Sequence, residues 1–385
     1  MDRDVYCLSS ESVRHLCDFL RLAGFLALPV LLAAGCGGSG GTMGGNPPPP
    51  PTFTTIDAPG AGATTPQGTF GIGISTNTDV VGYVIDTNSV IHGFVRKPAN
   101  TYATIDAPGA SLTQGLGTEV TAMNTPGEVV GFYYDGQQFF HSFMISTGGT
   151  ITTFDPPNTN GSVPYCINDA GVIAGAVVDA NGSHGFVRAA DGTFTVFDPT
   201  GNASQVAGVI ADGINSGGVI TGYYRDTNFV NHGFVRDAGG TFTLFDAPGA
   251  GTASGQGTLA YDINSSGTIV GEVTSSTGAL SSFTRSSGGT MSTFNPPGAG
   301  TMGSSANGIN DDGVIAGEYF DASTVNHGYV RQSGGTFVTL DDPDAAQLPF
   351  SFTNLGTVPR RVNASGAVAG LYSDANGVRH AFLWQ

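Results

Sequence analysis

The chain has 385 residues, with 60 Gly and 21 Pro, 39% hydrophobic residues and 11% charged ones. It is too apolar for a disordered chain, and its glycines recur at fixed places, so it reads as many short strands joined by tight turns. Thirty acids against 13 Lys and Arg give a formal charge of −17, which repels phosphate backbones and argues against nucleic acid as a partner.

Leu22 to Leu32 (LAGFLALPVLL) is an uncharged apolar run preceded by Arg14 and Arg21. It has signal-peptide length and is too short to cross a bilayer as a helix. It leads into Leu32-Ala33-Ala34-Gly35-Cys36, which resembles the lipobox of bacterial lipoprotein signals, although Ala33 stands where Leu is commoner. The resemblance implies processing before Cys36 and a diacylglycerol on its thiol. Gly37 in place of Asp would favour the outer membrane. Asp2, Asp4, Glu11 and Asp18 outnumber the three Arg ahead of the apolar run, which departs from the pattern, and a start at Val13 would remove most of them. The alternative is a cleaved signal without a lipid. Residues 1–35 are therefore expected to be a signal peptide. Residues 36–52, with Gly37 to Pro51 reading GGSGGTMGGNPPPPP, are expected to be a flexible and then stiffer tether. Cys7 and Cys17 precede Cys36, so Cys166 is the one thiol left to the folded domain and no intrachain disulfide is expected.

From Phe53 to Gln385 the chain is periodic. An Ile-Asn pair or its near relative recurs at Ile74-Ser75, Met123-Asn124, Ile167-Asn168, Ile214-Asn215, Ile263-Asn264, Ile309-Asn310 and Val362-Asn363. A second marker, an apolar-Thr stretch ending in Asp and Pro, begins at Phe53, Tyr102, Ile151, Phe194, Phe242, Met291 and Phe337, with Asn in place of Asp in the sixth. Each repeat offers four strand candidates, as in GIN, VIAGEY, HGYVR and TFVTLD around Ile309, and no stretch keeps a helical period. Four strands in each of seven repeats predict an all-β, seven-bladed β-propeller with four-stranded blades. The lone strand Phe53 to Asp57 is expected to complete the last blade, which ends at His380-Ala381-Phe382-Leu383-Trp384, and so to close the ring. An open β-solenoid is the alternative, but it needs capping units.

Gly-Ile-Asn, a Gly turn, Ile-x-Gly and the terminal His-Ala-Phe-Leu-Trp together resemble the bacterial "probable extracellular repeat, HAF family"; other copies read HGFVR or HGYVR. The resemblance covers Phe53 to Gln385 and implies an exported repeat protein of unassigned function.

Six histidines lie in the repeats: His92, His141, His184, His232, His327 and His380. One per repeat spreads them around a ring rather than onto one tetrahedral centre. An Asp stands six residues earlier in five copies (Asp86, Asp135, Asp226, Asp321, Asp374) and five earlier in another (Asp179). The fifth repeat has Ser275 and Ser281 in these two places, so both partners are lost together. The pairs are expected to be structural, not metal-binding or catalytic. Arg96, Arg188, Arg236, Arg285 and Arg331, repeated four residues on, are read the same way. The acids of INDDG (Asp311, Asp312) and of IND (Asp169) admit calcium, but too few oxygens alternate for a full calcium loop, and hairpin turns explain them better.

One site needs unlike groups, so function is sought where the copies differ. After Ile/Val-x-Gly stand Tyr83, Phe132, Ala176, Tyr223, Glu272, Glu318 and Leu371. Tyr83, Phe132, Tyr223, Arg225, Glu272 and Glu318 form the expected ligand surface, suited to a sugar or peptide, with inter-blade packing as the bland alternative. No nucleophile elbow, Walker loop, His-Glu-x-x-His or dinucleotide fingerprint occurs in context. The expectation is an exported, monomeric, cofactor-free binding or scaffold module at the cell surface, touching membrane only through its N-terminal lipid. The alternative is a propeller-type polysaccharide lyase or hydrolase that uses Glu272 and Glu318 as paired acids. A third reading is an envelope filler protein.

Overall fold

The computed structural model describes residues 51–351 and 354–385. The expectations for the signal segment, Cys36 and most of the tether fall outside those residues.

Each repeat folds into a four-stranded antiparallel sheet. In the first, the strands are Gly68–Ile74, Val80–Ile85, Ile91–Arg96 and Tyr102–Ile105, paired in that order. The later first strands are Thr118–Met123, Gly161–Ile167, Val206–Ile214, Gly257–Ile263, Gly303–Ile309 and Thr357–Val362. The last repeat supplies three strands itself. Its fourth is Phe53–Ile56, which pairs with Arg379–Trp384 from Phe53 opposite Trp384 to Ile56 opposite Ala381. Among the described residues, the one helical element is a short 3-10 turn at Ala203–Gln205.

Adjacent sheets are joined edgewise by single parallel bridges, such as Ile91 to Gly117, Asn231 to Gly257 and Gly68 to Arg379. First strands also contact first strands. Each touches the next along the chain, and Thr357–Val362 touches Gly68–Ile74. Cores form between successive sheets: Phe70 and Tyr83 of the first repeat pack with Val358 and Leu371 of the last. The ring after His-Gly or its counterpart packs against the preceding sheet, as Phe143 does against Val81 and Ile105 and Phe382 against Ala316 and Val330, and Phe143, Phe186, Phe234, Phe283 and Phe382 are fully buried.

Two repeated motifs have physical causes that pairing alone makes visible. The Gly of Ile/Val-x-Gly lies against a carbonyl of the first strand. A Cβ on Gly82 or Gly222 would collide with the backbone oxygen of Phe70 or Ile210. The Asn that ends each first strand caps the following turn: its Oδ1 accepts a backbone N–H four residues on, as from Val172, Val219 and Val314 at 2.9–3.0 Å. Its Nδ2 donates to the backbone oxygen of the matching residue in the next repeat. The series runs Asn124, Asn168, Asn215, Asn264, Asn310, Asn363 and then Ser75, at 2.9–3.1 Å.

The chain thus has two distinct sheet ends. One carries the turns between first and second and between third and fourth strands, each with five residues between the strand ends. The other carries the second-to-third turns and the longer loops between repeats, which are bonded together, as by Gly115 N to Ser89 O and Gly255 N to Phe229 O. These are the turn end and the loop end.

Candidate functional site

The histidines stand at the loop end, where their main partner is a residue the repeat spacing hides. Nδ1 lies 2.6–2.9 Å from the Asp fourteen residues later: Asp106, Asp155, Asp198, Asp246 and Asp341 for His92, His141, His184, His232 and His327. For His380 that place falls to Asp57, on the strand from the start of the domain, at 2.7 Å. The Asp expected from the sequence faces Nε2. It reaches 3.2 Å in Asp179–His184 and 3.4 Å in Asp135–His141, and stands at 3.6–3.9 Å in the other four copies. Its stronger bonds go to the turn, where Asp86 Oδ1 accepts from Asn88 and Val90 at 2.8 and 2.7 Å. A neighbouring tyrosine stacks on several of the imidazoles, as Tyr224 does on His232 and Tyr372 on His380.

This geometry sets the protonation. Burial alone would lower the imidazolium pKa of His141 and His184, but the hydrogen bonds and charges of the two flanking carboxylates outweigh it and raise both. In His232 and His380 the bond to Asp246 or Asp57 is the largest influence, exceeds burial, and again raises the pKa. The fifth repeat replaces all three partners, with Ser275, Ser281 and Asn295, and Asn295 Nδ2 donates to Ser281 Oγ at 3.3 Å. The Asn of the sixth apolar-Thr marker was the available sign that Asp and His vary as a triad.

The repeated arginines lie in the seams between repeats. Arg188, Arg236, Arg285 and Arg331 set their guanidinium groups 4.8–5.5 Å from Phe154, Phe197, Phe245 and Phe294 of the preceding repeat. The turn acids reach backwards too: Asp169 and Asp311 accept from the backbone N–H of Thr125 and Ser265 at 2.8 Å. Among the described residues, no three His, Cys, Asp or Glu are grouped to hold a metal ion.

The expected ligand surface needs correction. Tyr83, Phe132, Tyr223 and Glu272 are buried. Tyr83 stacks on Phe70 at 4.6 Å, and Phe132 packs with Val163 and Ala176 of the next repeat. Arg225 and Glu318 are half-buried, with Arg225 Nε bonded to Asn231 and Glu318 Oε2 accepting from Asn326 Nδ2 at 2.6 Å. Residues directed at neighbouring sheets across the pleat are swallowed by those sheets, so alternation along a strand cannot by itself mark an open surface.

Unlike side chains converge instead on the first strands. Every first strand carries a β-bulge at one register, which leaves Ile72, Thr121, Tyr165, Asp212, Tyr261, Asn307 and Arg360 outside the ladder. Because first strands touch each other, these residues and their neighbours meet across repeats. Thr121 Oγ1 donates to the Pro164 carbonyl at 2.6 Å, and Asn307 Nδ2 to the Pro359 carbonyl at 2.8 Å. Asp262, from the fifth repeat, accepts from Ile309 N at 3.0 Å, and Arg361, from the seventh, donates to the Asn307 carbonyl at 2.6 Å. Both reach the sixth repeat beside Gly308, where a Cβ would lie 3.0 Å from the Arg360 carbonyl oxygen. Burial raises the Asp262 pKa, with Arg361 opposing and Asp212 adding to the rise. The Cys166 thiol is pushed far up by burial and by Asp212 and Asp262, again against Arg361. Four groups from four repeats therefore sense one another, with Tyr261 beside them in edge contact with Tyr223.

No known family description matches the chain, and no curated protein is similar to it. Solved structures are. A streptogramin B lyase superposes with a TM-score of 0.53 at 14% identity, over 86% of this chain and 97% of its own. A virginiamycin B lyase from Staphylococcus aureus gives 0.52 at 12% identity, over 87% and 99%. A lectin from Burkholderia pseudomallei gives 0.46 at 14% identity, over 82% and 95%. At these identities the likeness speaks to fold alone: the chain is an all-β protein of repeated four-stranded sheets with the β-propeller fold.

Proposed function

We propose that the protein is a seven-bladed propeller, closed by Phe53–Ile56, that serves as a non-catalytic binding module of the cell surface. Closure is supported by first-strand contacts that return from Thr357–Val362 to Gly68–Ile74, and by the Asn363-to-Ser75 bond that ends the asparagine series. Export and lipid attachment at Cys36 rest on the sequence alone.

The observation that carries the binding reading is the division of labour between repeated and unrepeated residues. The repeated His, Asp, Asn and Arg are occupied in turns and seams. The chemically unlike residues collect at one register of the innermost strands, where the half-buried Tyr261, Asp262, Arg360 and Arg361 stand beside the buried Tyr165, Asp212 and Asn307 and bring charge of both signs. Such a set suits a neutral, hydroxyl-rich or zwitterionic ligand, that is, a sugar or a short peptide. The enzymatic alternative has less support, since Glu272 is buried and Glu318 is held by Asn326.

The test is a glycan and cell-wall-polymer array on residues 53–385, with and without calcium, with mass spectrometry of every ligand after incubation. Tyr261→Ala is expected to weaken the best ligand by about tenfold, or roughly 1.4 kcal/mol, without altering the circular dichroism. A ligand whose affinity ignores Tyr261, or one that is cleaved, would overturn the reading.

A further inference from the structure

Charge and exposed apolar side chains are divided unequally between the two ends of the sheets, and this division is independent of the first-strand site. The loop end carries the twelve aspartates of the six Asp–His–Asp triads, together with Asp342 and Asp344. Its two arginines are both engaged, Arg225 on Asn231 and the buried Arg379 on Ser373, and its six histidines, one to each aspartate pair, are fewer than half as many as its fourteen aspartates. The remaining cations outside the first strands, Arg96, Lys97, Arg188, Arg236, Arg285 and Arg331, all stand at the turn end, where they roughly match its acids. The excess negative charge of the described residues therefore belongs mainly to one end.

The same end holds the large apolar side chains that its loops leave in water. Leu112, Phe139, Phe229 and Leu348 are 51–62% exposed, and each sits in a second-to-third turn or an inter-repeat loop. The short turns at the other end hold no exposed large apolar residue among those described. Solubility alone would scatter charge over both ends and would not place aromatic rings among the carboxylates. The chain joins the domain at Phe53, opposite Trp384, at the turn end.

We propose that the loop end is a docking surface for a basic polypeptide, whose Lys and Arg meet the aspartate rim while its apolar residues cover Phe139 and Phe229. Carboxylates supply attraction at a distance and a fast on-rate. The exposed rings supply the contact area that a simple ion exchanger lacks.

The test measures binding of poly-L-lysine, and of a lysine copolymer carrying phenylalanine, to residues 53–385 by interferometry at several salt concentrations. Three variants are compared: Asp106→Asn with Asp246→Asn and Asp344→Asn at the loop end; Asp191→Asn with Asp237→Asn and Asp312→Asn at the turn end; and Phe139→Ser with Phe229→Ser. The loop-end charge variant should lose about tenfold in affinity, the turn-end variant should change little, and binding should weaken steeply with salt. The serine variant should lose the preference for the phenylalanine copolymer while keeping its melting temperature. Equal losses from the two charge variants would reduce the effect to net charge and overturn the proposal. So would the absence of salt-sensitive binding, or a stronger response to an amine polysaccharide such as chitosan.

Discussion

Each imidazole of the repeat is held between two carboxylates, and that fixes how stability responds to pH. The folded pKa values of His141, His184, His232 and His380 lie above the ordinary 6.5, so their contribution is complete below about pH 6.5 and is lost as pH rises through the folded values. Asp86, Asp226 and Asp374 feel burial first, which raises them, but backbone N–H bonds from their turns and the nearby imidazole bring them below 3.8. Their contribution is present above about pH 3.8 and disappears as pH falls through the lowered values. The melting temperature is therefore expected to be highest between about pH 4 and 6.5 and to decline toward pH 8. His232→Gln should flatten the upper limb of that profile, and a wild-type profile that climbs toward pH 8 would contradict the assignment. The sequence made the histidines and one of their acids legible, because those recur within six residues. The closer acid escaped because antiparallel pairing, not chain proximity, brings Asp246 to His232.

At the scale of the strand and its turn, the asparagine series is the most regular contact between repeats, and the first repeat breaks it twice. Ser75 stands where the others have Asn, and Thr78 has a φ of 62° where the six other turns place a glycine. A β-branched residue is strained in that left-handed region. Ser75 caps its own turn by accepting from Asn77 and Asp79, but its hydroxyl is shorter than the amide that spans to the next repeat elsewhere. Ser75→Asn with Thr78→Gly should therefore stabilise the protein by about 1–2 kcal/mol, whereas Asn215→Ala should cost about 1–3 kcal/mol. Urea unfolding of the two variants checks both signs. The Ile-Asn marker located these contacts without revealing their purpose, since its partner lies a whole repeat away. The bulges were less legible still, because an extra residue in a ladder is a property of two strands.

For the whole molecule, the strand Phe53–Ile56 couples the two ends of the domain. Ile56 is fully buried, Phe53 meets Phe382 edge-on at 5.5 Å, and Asp57 supplies the carboxylate for His380. A chain beginning at Ala58 should lose on the order of 3–5 kcal/mol and expose the edge of Arg379–Trp384 to other copies. Light scattering and thermal melts, with a peptide spanning residues 51–58 added back, would show whether the loss is reversible; unchanged stability would remove this strand from the account. The lone opening strand and the three-stranded final repeat were already visible in the sequence, because a missing element shows in a periodic chain. The pairing also has a mechanical consequence. Phe53 lies opposite the penultimate residue, so tension on the chain at Phe53 loads the pairs singly, Phe53 with Trp384 first and Ile56 with Ala381 last. Hydrogen bonds loaded in succession part under far less force than bonds sheared together. Force spectroscopy on residues 53–385 should therefore show this one strand parting first and at low force.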